Sequence, residues 1–247
     1  LTSTTARLDM MNDGLQDTAT LQQKIYRSAE RSRAAYQGTA DAVSKLGLMA
    51  GDAFGSSDEI IFFMEQINKQ FTIAGTDSAG ISAAMLQLTQ AMGSGVLRGE
   101  EFNSILEQAP NIIQSIADYM GVPKGQLKDM AAQGKITAET VKAAVFAAAD
   151  ETNAKFESMP KTFSQIWTSA KNAALMAFTP VLQKLNDLAN SNEFQTVVKT
   201  ITNAVSKAAD IAIAAFNILS KTAGFVVRNW GFISPVVYGV VAALTLY

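Results

Sequence analysis

The sequence predicts a mainly α fold, an elongated multi-helix assembly with no substantial sheet, and three observations predict it. Apolar residues recur at helical spacing along most of the 247 residues. Strand-like alternation is almost absent before residue 225. Glycine and proline are unevenly placed: eleven of the 16 glycines lie between Gly47 and Gly134, none lies between Lys135 and Ala223, and the first proline is Pro110. Because these residues punctuate elements, they divide the chain into four parts. Residues 1–46 read as long helix, 47–158 as a compact group of short helices, 159–223 as longer amphipathic helices, and 224–247 as an apolar C-terminal helix.

In the first part, Leu8, Leu15, Gln22, Ala29 and Tyr36 repeat every seven residues, with Met11, Thr18, Ile25 and Ser32 between them. This is coiled-coil spacing with polar occupants, so it predicts a loose seam and self-association. Lys24, Arg27 and Arg31 share one helix face, which reads as a solvated face or as contact with an acidic partner.

In the second part, Ser56 to Glu59 has capping-box spacing and opens a helix over 58–71. A helix over 79–92 stops at Gly93-Ser94-Gly95, and helices over 100–108 and 110–120 follow. Gly121 and Pro123 end the latter, glycine taking the left-handed cap and proline blocking continuation. A helix over 124–133 ends at Gly134, and Thr137 caps the next, through Ala148. Phe62, Phe63, Ile67 and Phe71, then Phe163, Ile166, Trp167 and Leu175, form stripes that predict core or packing between copies.

Composition narrows the chemistry. The chain is 48% hydrophobic and 17% charged, with no cysteine, no histidine and a net charge of -2. Disulfides, thiol nucleophiles, Ser-His-Asp triads and His-ligated zinc are thereby excluded. Carboxylate, lysine and oxygen-ligated metal chemistry remain open. The charge balance also argues against specific nucleic-acid recognition, which draws on many basic side chains.

Few candidate sites survive inspection. Gly93 to Gly99 lacks both the dinucleotide spacing and a Gly-Lys-Ser/Thr ending, and it follows a helix, so it reads as a flexible hinge. Glu100, Glu101 and Glu107 are the residue type of a paired-carboxylate glycosidase, but acidic residues at a helix start are already explained by the helix dipole. Asp150 and Glu151 invite the same reading at a helix end. No calcium loop is visible, and no catalytic, cofactor or metal residue is assigned.

The apolar end is the sharper feature. Asn229 to Tyr247 is uncharged, and Arg228 with Trp230 resembles an interfacial anchor. About 20 apolar residues span a bilayer, so this run is nearly long enough. Pro235 lies within it, and Gly239 and Ala243 have small-xxx-small spacing. A buried helix or an interchain seam is the alternative. Residues 1–30 contain no signal-peptide core. The start at Leu1 and the apolar close at Tyr247 suggest an excerpt from a longer polypeptide.

Several ordered motifs together carry a resemblance. The run Leu86 to Gly95 contains Gln87, Leu88, Gln90, Ala91 and Gly95; it is followed by Leu97, Arg98, Gly99, Glu100, Glu101, Glu107 and Pro110. Ile116 to Pro123 contains Gly121, and Gly134, Lys135, Ile136 and Thr137 form a "GKIT" turn. Over about residues 40–150 the chain resembles the N-terminal domain of phage tail tape measure proteins. The resemblance implies a virion protein in the tail tube lumen that sets tail length and leaves ahead of the DNA. It also implies contacts with the tail tube protein, tail tip or baseplate proteins, assembly chaperones, sister copies and, at ejection, the host inner membrane. The expected short helices lie splayed or stacked along a tube, and the competing function is a membrane-active, pore-forming protein without a ruler role.

Overall fold

The structure, a computed structural model, describes residues 2–191 and the single positions 196, 228, 230, 231, 234 and 235. Residues 1–46, expected as one long helix, form three: α1 (Thr2–Met11), α2 (Thr18–Arg31) and α3 (Tyr36–Met49). The physical reasons are local. Asn12-Asp13-Gly14 is an Asx turn, in which Asn12 Oδ1 accepts from Gly14 N and Asp13 Oδ1 from Leu15 N, with Gly14 at φ +78°. Asp17 then caps α2 by accepting from Thr20 N at 2.6 Å. The second break is at Arg33, which takes φ +55°.

Folding back turns the heptad seam inward. Leu8, Ile25 and Ala29 are fully buried and Tyr36 nearly so, whereas Leu15 sits in the turn at 82% exposure. The seam therefore packs α1, α2 and α3 on one another within the chain. The basic face is also occupied, as Lys24 pairs with Asp58 and Arg31 with Glu65.

After a 3-10 turn at Gly51–Ala53 come α4 (Ser57–Ala74) and α5 (Ser78–Ser94). Then follow β1 (Val96–Leu97), α6 (Gly99–Gln108), α7 (Pro110–Met120), α8 (Lys124–Ala132) and β2 (Ile136–Thr137). Three helices complete the described chain: α9 (Ala138–Ala147), α10 (Ala149–Ser158) and α11 (Phe163–Asn190). The cap at Ser56 forms as the sequence predicts, accepting from Glu59 N, while the Glu59 carboxylate reaches back to Gly55 N rather than to the cap residue. That bond, foremost, holds Glu59 below the usual carboxylate range. Thr137 caps α9 through Thr140 N.

The first of two units, Leu1–Asn172, gathers these elements around α4. Phe63, Met64, Ile67 and Phe71 of α4 are buried with Phe102, Ile105, Ile112 and Ile116 of α6 and α7. The short helices thus close on a shared core, where the sequence suggested splayed helices. Their apolar faces bury one another, and residues 1–46 join the same core. Phe62 falls off the stripe: it is 39% exposed and meets Phe146 edge-on, ring centroids 5.1 Å apart. The second unit begins at Ala173.

Glycine with positive φ closes α4, α5 and α7 at Gly75, Gly95 and Gly121. At Gly121, φ is +66° and an added Cβ meets nothing within 4 Å, so the penalty is conformational alone. Gly121→Ala is expected to cost about 1 kcal/mol in urea unfolding. An unchanged midpoint contradicts the cap's role.

Candidate functional site

The family-like motifs come together in space. Gly95 turns the chain out of α5, and β1 pairs antiparallel with β2, Val96 opposite Thr137 and Leu97 opposite Ile136. Ala138 N donates to Gly95 O at 2.8 Å, extending the clasp by one bond. Leu97 and Ile136 are fully buried beneath it. Gly134, at φ +66°, lets the chain pass Val96, and a Cβ on Gly99 would stand 3.7 Å from Ala132 Cα. Within the stretch read as a hinge, Val96 and Leu97 thus form a paired strand. Its two residues escape period-2 analysis because strand alternation needs about four residues to show.

The remaining motif residues frame this clasp. Leu88 and Ala91 are buried on α5, Gln87 is half-buried and Gln90 exposed. Arg98 precedes α6, whose first turn holds Glu100 and Glu101; Glu107 is exposed near its end. Pro110 opens α7, where its missing N–H costs nothing. The three glutamates lie along one helix, and none lines the cleft of about 290 Å³ between α4, α7, α9 and α10. Asp150 and Glu151 open α10 instead of closing α9, and Glu151 pairs with Lys155 at 2.5 Å. Among the described residues, no group of three or more acidic side chains is placed to hold a metal.

Sequence reasoning missed a buried polar row on α4. Glu65, Gln66, Asn68, Lys69 and Gln70 are all at most 7% exposed. Glu65 receives Arg31 Nη2 at 2.5 Å and Lys69 Nζ at 2.8 Å. Lys69 also donates to Asn153 Oδ1, and Gln70 donates to Ser115 and Thr152. Asn111 Nδ2 donates to both Gln70 oxygens, and Asn68 to Thr39. The row ties α4 to α2, α3, α7 and α10 at fixed positions, which apolar packing alone does less selectively. The signal available in sequence was the five polar residues interrupting the apolar run after Met64.

Burial pushes the Glu65 carboxyl up, but the bonds and charges of Arg31 and Lys69 outweigh it and hold the group below its ordinary 4.5. Below that ordinary value the unfolded chain takes up a proton that the folded chain refuses. Stability is therefore present above it and lost as pH falls through the folded value. Urea midpoints are expected to drop from pH 6 to pH 3.5, with a shallower drop in Glu65→Gln. An identical pH dependence in the variant contradicts this.

A second feature anchors the long helix. Asn172, 2% exposed on α11, accepts from Tyr36 N at 2.8 Å and donates to Glu30 Oε1 at 2.9 Å and Ala34 O at 2.8 Å. It caps α3 from a distant part of the chain, since Ala35 offers no side-chain cap. Ser169 also donates to Glu30. Arg33 donates to Met159 O at 3.0 Å and lies 4.4 Å over the Phe156 ring. The strained turn at Arg33 thereby holds the segment joining α10 to α11. On α11 itself, Phe163 and Ile166 are 70% and 55% exposed.

Of the apolar end, Arg228, Trp230 and Pro235 are described, and Trp230 is 45% exposed. Gly239, Ala243 and most of the run Asn229 to Tyr247 lie outside the described residues. Among the described residues, no helix is long and apolar enough to cross a membrane.

The described residues thus form a helical unit built on internal polar ties, which holds the start of a 28-residue helix. The sequence profile described as "Tape measure protein" matches residues 1–187. The chain belongs to the tape measure protein family, and its place is the phage tail. No curated protein matches the chain. No solved structure does either. The family is structural, and membership implies contact with other tail components.

Proposed function

We propose that the chain occupies the lumen of the tail tube, sets tail length during assembly and leaves ahead of the DNA at ejection. Family membership supports this reading, and the observation that carries it is α11. Its 28 residues reach about 42 Å at 1.5 Å per residue. Within the head unit, Leu1–Asn172, Asn172 ties α11 to Tyr36, Glu30 and Ala34, a defined origin of the kind a ruler needs. In this reading the motif clasp and its flanking helices meet the tail tip or baseplate proteins, and the helical part meets the tube protein, assembly chaperones and sister copies.

Phage lacking the chain are expected to make tails of irregular length, with complementation restoring uniformity. Tails of uniform native length without it overturn the proposal. A second reading, a membrane-active protein without a ruler role, rests on Asn229 to Tyr247 with Trp230 at its start. Dye leakage from liposomes exposed to the chain supports it. The two roles act at different stages, so contact with the host inner membrane at ejection is compatible with the first.

A further inference from the structure

The cleft between α4, α7, α9 and α10 has features that the structural role does not use. Its volume, about 290 Å³, is at the lower limit for small-molecule sites and suits a single long side chain. Ala144, Ala147, Ala148 and Ile73 supply the apolar part of its lining. The lining also holds Asp118, whose Oδ1 accepts from Gln114 Nε2 at 2.6 Å, and Glu151, whose charge Lys155 offsets by pairing with it. Tyr119 adds an aromatic ring that is 51% exposed. Asn111, also on the wall, has a shielded Oδ1 that no protein donor satisfies. Asp118 and Tyr119 both belong to the Ile116 to Pro123 motif, whose polar members the fold itself leaves on the surface.

We infer that this cleft receives the aliphatic stem and cationic head of a lysine or arginine side chain presented by a partner polypeptide. The stem lies on the alanine wall. The head meets the Asp118 carboxylate and the Tyr119 ring, an arrangement that favours a cation twice over. One net negative charge matches one cationic head. A polyamine carries several charges, whereas the second carboxylate of the lining, Glu151, is already paired with Lys155, so a side chain is the better match. The inference does not depend on the tail-length reading.

The test is a titration of the full 247-residue chain with Nα-acetyl-lysine methylamide and Nα-acetyl-arginine methylamide, followed by amide NMR shifts. Nα-acetyl-norleucine methylamide and spermidine serve as controls. A ligand of this size is expected to bind with a Kd of about 1–10 mM. Shifts are expected to cluster at residues 111–119 and 144–155. Asp118→Asn is expected to weaken binding about tenfold, since one charge-assisted contact is lost. Ala147→Leu fills the cleft from an exposed helix position and is expected to abolish binding without changing the melting temperature. Norleucine binding as tightly as lysine overturns the inference, as does spermidine binding where the single side chains do not. Unaltered binding by Ala147→Leu overturns it too.

Discussion

Glu65→Ala is expected to lower the unfolding free energy by about 3–5 kcal/mol, a large share of the stability of a domain this size. The substitution leaves Lys69, 7% exposed, as a buried cation with the neutral Asn153 oxygen and the Phe156 ring in place of a counter-charge. Arg31 is released to solvent at little cost, because its side chain is already 58% exposed. The effect is the penalty of an orphaned charge more than the worth of the pair. Replacing both partners, Glu65→Leu with Lys69→Met, is therefore expected to recover most of the loss. Urea unfolding followed by circular dichroism measures all three. A double variant no more stable than the single one contradicts the account.

Asn172→Ala is the second large effect, about 2–4 kcal/mol, because Tyr36 N–H and Ala34 C=O lose a buried partner and Glu30 loses a donor. The loss is expected to be local. Protease cleavage in residues 159–162 and hydrogen exchange in the first turns of α11 should rise before the core opens. Asn172→Asp is expected to fail as well, since it keeps the acceptor for Tyr36 but loses the donor and sets a second carboxylate beside Glu30. Unchanged exchange in α11 in either variant contradicts the anchoring role.

Local chemistry was legible in the sequence wherever a short signal acts alone. The cap at Ser56, the helix from Pro110 to Met120 and the left-handed Gly121 all stand where spacing places them. Asn12-Asp13-Gly14 was as strong a turn signal, yet the seven-residue repeat across it suggested continuity. The fold spreads the repeat's members over three helices and the turns between them. The long-range ties were hidden for a different reason. Arg33 touches Met159 and Glu30 touches Asn172, each pair more than a hundred positions apart, and no periodicity links them. Glu65 and Lys69 are spaced i,i+4, and nothing local reveals that α2 and α10 cover them. The motif residues were visible as a resemblance, but their meeting in β1 and β2 depends on chain reversal between α5 and α9.

The central claim, that helix length beyond the head unit sets tail length, is tested most directly by inserting 28 heptad-patterned residues after Asn190 in the phage and measuring tails by electron microscopy. The account predicts tails longer by about 42 Å, from the helical rise of about 1.5 Å per residue. Tails of unchanged length on particles that contain the lengthened protein contradict it.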